Sequence, residues 1–101
     1  FSSILTPLAL IINEIITNAL KYGLKDIENP IVDITLKQTV IGDTTIVISD
    51  NGGGFDYDKW ENHQSMGIEL IKTLTEQLDG EISLDITEGK TKYTLKFKAT
   101  L

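Results

Sequence analysis

Leu8, Ile12, Ile15, Ile16 and Ala19 recur at the spacing of one helix face, and Glu14, Thr17, Asn18 and Lys21 fall on the opposite, narrower face. The spacing predicts an amphipathic helix that starts at Thr6-Pro7, a hydroxyl cap followed by a proline whose missing N–H costs nothing there. Gly23 is expected to stop it in a left-handed conformation. Residues 24–30 then carry loop chemistry in Lys25, Asp26, Glu28, Asn29 and Pro30.

The period next changes to two. Val32, Ile34 and Leu36 alternate with Asp33, Thr35 and Lys37, which predicts a strand wet on one face. Gly42-Asp43 reads as a tight turn, and the return strand from Thr44 to Asp50 sets Ile46, Ile48 and finally Asp50 on one face against Val47 and Ser49. No period survives from Asn51 to Ser65, a connection long enough to suggest function. Ile68, Ile71, Leu74 and Leu78 predict a second helix, capped at Ser65 and stopped at Asp79-Gly80. Two more alternating segments follow, Glu81 to Ile86 and Lys92 to Ala99, joined by a turn at Thr87-Glu88-Gly89-Lys90. Four strands with two amphipathic helices for their dry side make a two-layer α+β sandwich.

Composition narrows the chemistry. At 101 residues with 41% apolar and 24% charged positions, the chain is expected to fold as a single domain, residues 1–101. Its first residue is Phe1 and a helix follows almost at once, so it is expected to be a segment of a longer protein. Cysteine is absent, which removes disulfides, thiolate metal sites and thiol nucleophiles and is compatible with the cytosol. The apolar runs fall short of the roughly 20 residues of a membrane span, and no signal-peptide pattern opens the chain. A net charge of −6 argues against a nucleic-acid footprint, so an anionic ligand needs a metal, backbone N–H groups or single lysines.

Several positions invite two readings. Asp50, ending a core-facing row, is either a turn-former within Asp-Asn-Gly or a buried acceptor for a ligand amine, with Gly52 and Gly54 admitting a flat base. Ser65-Met66-Gly67 is an ordinary capped helix start or an anion seat. The polar face of the first helix is a solvated face, or it offers Glu14 and Asn18 as oxygen ligands toward one Mg²⁺. Tyr57 and Trp60 read equally as a partner-binding patch or part of a lid. His63, the single histidine, reads as a surface residue. Gly89-Lys90-Thr91 is not a P-loop, because the first glycine of that motif would fall on Leu84 and a strand follows.

Together these segments resemble the ATP-binding domain of sensor histidine kinases, within the superfamily of gyrase, heat-shock and mismatch-repair ATPases. Asn13-Glu14-Ile15-Ile16-Thr17-Asn18-Ala19-Leu20-Lys21-Tyr22-Gly23 is similar to the N box and Asp50-Asn51-Gly52-Gly53-Gly54-Phe55 to the first glycine box. Ser65-Met66-Gly67-Ile68-Glu69-Leu70 is similar to the second glycine box and Gly89-Lys90-Thr91 to the last short one. The resemblance implies a Bergerat fold, with helices on one face of a mixed, mostly antiparallel sheet and ATP between them. It implies Asn18 for Mg²⁺; Lys21, Tyr22 and the Ser65-Met66-Gly67 helix start for phosphates; Asp50 for the adenine amine; Gly52, Gly54 and Thr91 for the base pocket. Glu14 takes the position that orients or activates the attacking group.

The implied activity is transfer of the ATP γ-phosphate to a histidine that lies upstream or on a partner chain, not to His63. Implied partners are an upstream dimerisation and phosphoacceptor domain and a downstream response regulator, in a cytoplasmic location. Ser65 departs from the glycine many members have, and little precedes the N box, so the sheet is expected to leave an open edge for upstream residues or a second copy. Two other functions fit the same residues: a serine kinase and binding module of the anti-sigma type, and a nucleotide-free interaction platform.

Overall fold

The computed structural model describes residues 2–52, 57–61 and 66–99. Helix α1 (Ser2–Asn18) runs directly into a π-helical turn, Ala19–Gly23. Strands β1 (Val32–Gln38) and β2 (Asp43–Asp50) form a hairpin; helices α2 (Tyr57–Glu61) and α3 (Met66–Gln77) follow; β3 (Glu81–Thr87) and β4 (Lys90–Lys98) form a second hairpin. The sheet order is β1-β2-β4-β3 and every pairing is antiparallel, so the parallel member of a mixed sheet is not among the described residues.

The predicted α+β layering holds because the two periods are real. Ile11 and Ile15 of α1 and Ile68, Ile71 and Leu74 of α3 pack with Leu78 onto Ile46, Ile48, Leu84, Tyr93, Leu95 and Phe97 of the sheet. Along β2 and β4 buried positions alternate with wetter ones, as a half-covered sheet requires.

Five expectations change. Helix α1 begins at Ser2, and Pro7 lies buried inside it; so near the start of the helix it removes only one backbone bond. Ser3–Gly23 is also long and apolar enough, by length and composition, to cross a membrane, though its core face is occupied by the sandwich. Gly23 does not stop the helix by a left-handed turn. The Leu24 N–H instead closes onto the Ala19 carbonyl at 2.7 Å, five residues back, and Asp26 is the residue at positive φ. The supposedly irregular connection contains α2, whose Trp60 is buried at 5% exposure. It is therefore a core anchor. Its ring meets Tyr93 edge-on at 5.6 Å, while Lys72 Nζ sits 4.6 Å from the ring and donates to the Trp60 carbonyl at 2.7 Å. Finally, Ile34 and Leu36 of β1, expected to be dry, are exposed, because the helices cover β2, β4 and β3 but not this edge.

The turns match their residues. Asp79 is left-handed at the end of α3, and the Gly80 N–H reaches back to the Thr75 carbonyl at 3.0 Å; a Cβ on Gly80 would lie 2.6 Å from the Lys96 carbonyl. Glu88 (φ 52°) and Gly89 (φ 76°) form the two-residue β3–β4 turn, with both central residues in the left-handed region. Glutamate is a poor resident there, since a Cβ in that region costs roughly 1 kcal/mol. Glu88→Asn is therefore expected to stabilise the chain by about 0.5–1 kcal/mol, read as a raised denaturation midpoint with unchanged m-value.

Candidate functional site

The site begins where α1 ends. Glu14 is half-buried on the turn before Asn18, and Asn18 is buried at the junction of the α-helix with the π-turn. The wider π-turn moves Lys21 and Tyr22 away from simple α-helical phase, and both side chains are exposed beyond Asn18. The Asn18 Nδ2 is buried without a hydrogen-bond partner among the described residues. A buried donor left unpaired costs on the order of 1–3 kcal/mol, so this amide is set for something else. A half-turn of the amide exchanges nitrogen for oxygen, allowing the same terminus to donate to a phosphate or to coordinate a cation.

Helix α3 meets this wall at its first turn. A Cβ on Gly67 would stand 2.6 Å from Glu14 Oε2 and 3.8 Å from Asn18 Oδ1. Glycine is thus what lets the N-terminus of α3 approach the Glu14 and Asn18 side chains. Among the described residues no group of three His, Cys, Asp or Glu side chains could hold a metal by itself. Glu14 and Asn18 supply few hard oxygen ligands, the pattern that suits Mg²⁺ completed by water and phosphate.

The second cluster lies at the end of β2. Asp50 is buried, and its Oδ1 accepts the Gly52 N–H at 2.8 Å. Thr91 stands opposite Asp50 in the β2–β4 register and donates from Oγ1 to the Gly52 carbonyl at 2.6 Å. A Cβ on Gly52 would overlap the carbonyl oxygen of Gly23, and one on Gly23 would lie 3.3 Å from Asp50 Oδ2. Gly52 must be glycine because the end of the π-turn closes on the end of β2 backbone against backbone, whereas a side chain at Gly23 would press on the Asp50 carboxylate.

Asp50 accepts from the turn that follows it, as the turn-former reading expects, and is at the same time a desolvated carboxylate. Burial pushes its pKa above the usual carboxylate range, partly offset by the Gly52 N–H. Burial first, and then the Asp50 charge, raise the Tyr93 hydroxyl as well.

Of the residues singled out by sequence, the fold gathers Glu14, Asn18 and Gly67 into one group and Asp50, Gly52 and Thr91 into another, joined through the π-turn that carries Lys21 and Tyr22. Met66 opens α3. Gly54, Ser65 and His63 lie outside the described residues. Sequence reasoning missed Gly23 as the neighbour of Asp50. It also missed Asn51, which accepts the Ile31 N–H at 2.9 Å and donates to the Asn29 carbonyl at 2.7 Å, tying loop 24–31 to the site. The Asp-Asn-Gly tripeptide was the available signal, since asparagine commonly braces neighbouring backbone.

The raised Asp50 pKa makes stability depend on pH with a definite sign. The folded state holds the Asp50 proton more tightly than the unfolded chain. Its stabilising contribution is complete below the ordinary value of 3.8 and is lost as pH rises through the elevated one. Asp50→Asn, which keeps an oxygen for the Gly52 N–H, is expected to melt higher than the parent at pH 7. That advantage should vanish on acidification below pH 4, as followed by thermal melts across the range.

Comparison with known proteins bears on the family and the fold. Residues 4–101 match the profile of the family described as histidine kinase-, DNA gyrase B-, and HSP90-like ATPase. The histidine kinase domain of the Erythrobacter litoralis EL346 blue-light activated histidine kinase superposes with a TM-score of 0.85 at 20% identity, over 95% of this chain and 45% of that one. The Acinetobacter baumannii histidine kinase AdeS gives 0.74 at 17% identity, over 91% of this chain and 45% of its own. The mycobacterial sensor histidine kinase MprB gives 0.74 at 17% identity, over 92% and 70%. The chain thus spans less than half of the first and second of these structures. No curated protein sequence matches it significantly.

Proposed function

Because the chain belongs to the histidine kinase-, DNA gyrase B-, and HSP90-like ATPase family, we propose that it is the catalytic domain of an ATP-dependent protein histidine kinase. In this reading residues 1–101 form one domain that binds Mg-ATP in the cytoplasm and passes the γ-phosphate to a histidine outside the segment. The observation that carries the proposal is the buried Asn18 Nδ2, which has no hydrogen-bond partner among the described residues and lies beside Glu14 at the start of α3. A polar atom kept unsatisfied in a packed wall suits a ligand that completes it.

Each residue has a task in this reading. Asp50 accepts from the exocyclic amine of adenine, with Thr91, Gly52 and Gly54 shaping the surroundings of the base. Asn18 holds Mg²⁺, which when bound neutralises charge on the phosphates. Lys21, Tyr22 and the α3 start at Ser65, Met66 and Gly67 hold the phosphate oxygens. Such positioning and charge complementarity are most of what phosphoryl transfer asks of a protein. The acceptor imidazole attacks phosphorus in line, the bond to the β-phosphate bridging oxygen breaks, ADP leaves, and Glu14 accepts the proton the imidazole sheds. An upstream dimerisation and phosphoacceptor domain would present the histidine, and a response regulator would take the phosphate onward.

Calorimetric titration tests the reading on this chain. Mg-ATP is expected to bind, with affinity falling about 10–100-fold in Asp50→Asn and in Asn18→Ala, the loss of a charge-assisted contact in each. Only the Asn18→Ala loss should shrink when ATP is titrated without Mg²⁺. Unchanged affinity in both variants would remove the assignment.

A further inference from the structure

The β1–β2 ladder ends in an unusual way at Asn51. The register pairs Val32 with Asp50, so Ile31 and Asn51 are the next opposed residues, and the Asn51 N–H donates to the Ile31 carbonyl at 3.2 Å as an antiparallel ladder requires. The reciprocal bond is made by a side chain. The Ile31 N–H goes to Asn51 Oδ1 at 2.9 Å, where a regular ladder would use the Asn51 carbonyl. The carboxamide thus completes the pairing while the main chain turns off the sheet toward Gly52, which closes on the Gly23 carbonyl.

The other end of the same carboxamide is also used. Asn51 Nδ2 donates to the Asn29 carbonyl at 2.7 Å, so the side chain grips the backbone on both sides of Pro30, a residue with no N–H of its own. Turn formation alone does not call for this. Aspartate forms the same kind of turn, but at this position it would set a second oxygen against the Asn29 carbonyl, whereas asparagine offers one acceptor and one donor.

These bonds hold a strap. Residues 24–31 lead from the π-turn to β1, and at their start Leu24 is buried with its N–H closing the π-turn on the Ala19 carbonyl. The Ile27 N–H then bonds the Leu24 carbonyl at 3.1 Å; beyond it, the hydrogen bonds of the strap among the described residues are the three to Asn51. Lys25, Asp26, Glu28, Asn29 and Pro30 are exposed, so packing does little to fix its second half. Asn51 does that.

We propose that Asn51 is a positioning residue for the phosphate side of the site: by gripping the strap around Pro30 it fixes the π-turn that carries Lys21 and Tyr22 in its place relative to Asp50. The inference rests on the nucleotide-binding function proposed above. Asp50 needs no such help, because its own strand and the Gly52 N–H orient its carboxylate.

Calorimetric titration of Mg-ATP onto the 101-residue chain and its variants tests this, together with amide hydrogen exchange. Asn51→Ala removes both side-chain bonds, and Asn51→Asp keeps the one from Ile31 and loses the one to Asn29; each should weaken Mg-ATP binding about tenfold. In a Lys21→Ala background the Asn51→Ala loss should shrink to about threefold or less, because a group it positions is gone, while in an Asp50→Asn background it should persist in full. The Leu24 amide should exchange about tenfold faster in both variants, with the amides of the β2–β4 ladder keeping their protection. A parent that binds Mg-ATP beside variants that bind it equally well overturns this inference alone. So does a loss of the same size in both backgrounds, an unmoved Leu24 amide, or a ladder that loosens together with it. A parent with no affinity for Mg-ATP instead removes the nucleotide-binding reading, and this inference with it.

Discussion

The contact on which this fold depends is the one between the ends of two elements, where the carbonyl of Gly23 occupies the space a Cβ of Gly52 would need. It brings the C-terminal end of the first helix onto the C-terminal end of β2, and so brings the Asn18 wall and the Asp50 carboxylate into one site. Asp50 and Thr91 then grip Gly52 at both of its backbone groups, the N–H of one peptide unit and the carbonyl of the next. Nothing larger than glycine could stand at that junction without separating the two halves.

Burial at the site is asymmetric in a useful way. Asp50 is costly to the folded protein, whereas Thr91 across from it is fully satisfied. Tyr93, further along the same strand, feels the Asp50 charge and meets Trp60 through an edge-on ring contact, and Lys72 lies over that indole. A polar site is thereby backed directly by aromatic core, which keeps the carboxylate poorly hydrated and its orientation fixed.

Much of this could be read before the fold was seen, and the omissions have physical reasons. The periods of Leu8 to Ala19 and of Thr44 to Asp50 specified elements and faces, because burial on one side enforces them, although Ile11, fully buried in α1, was not among the positions the helical period picked out. The π-turn escaped detection since five residues are too few for a change of period to register. Trp60 escaped because a single aromatic in a short, charged stretch has no repeat to announce it. Ile34 and Leu36 misled for the opposite reason: alternation states that a face is apolar, not that anything lies on it. Asp50 was legible as uncomfortable, and Gly52 as necessary, but what each glycine touches depends on a contact with Gly23 that sequence spacing does not encode.

Trp60 has a consequence for how the long connection after β2 behaves. Because it is pinned in the core, the entropy of joining β2 to α3 is counted over two short spans, from Asp50 to Trp60 and from Trp60 to Met66, instead of over one. Remove the indole, and the chain must close the whole distance at once.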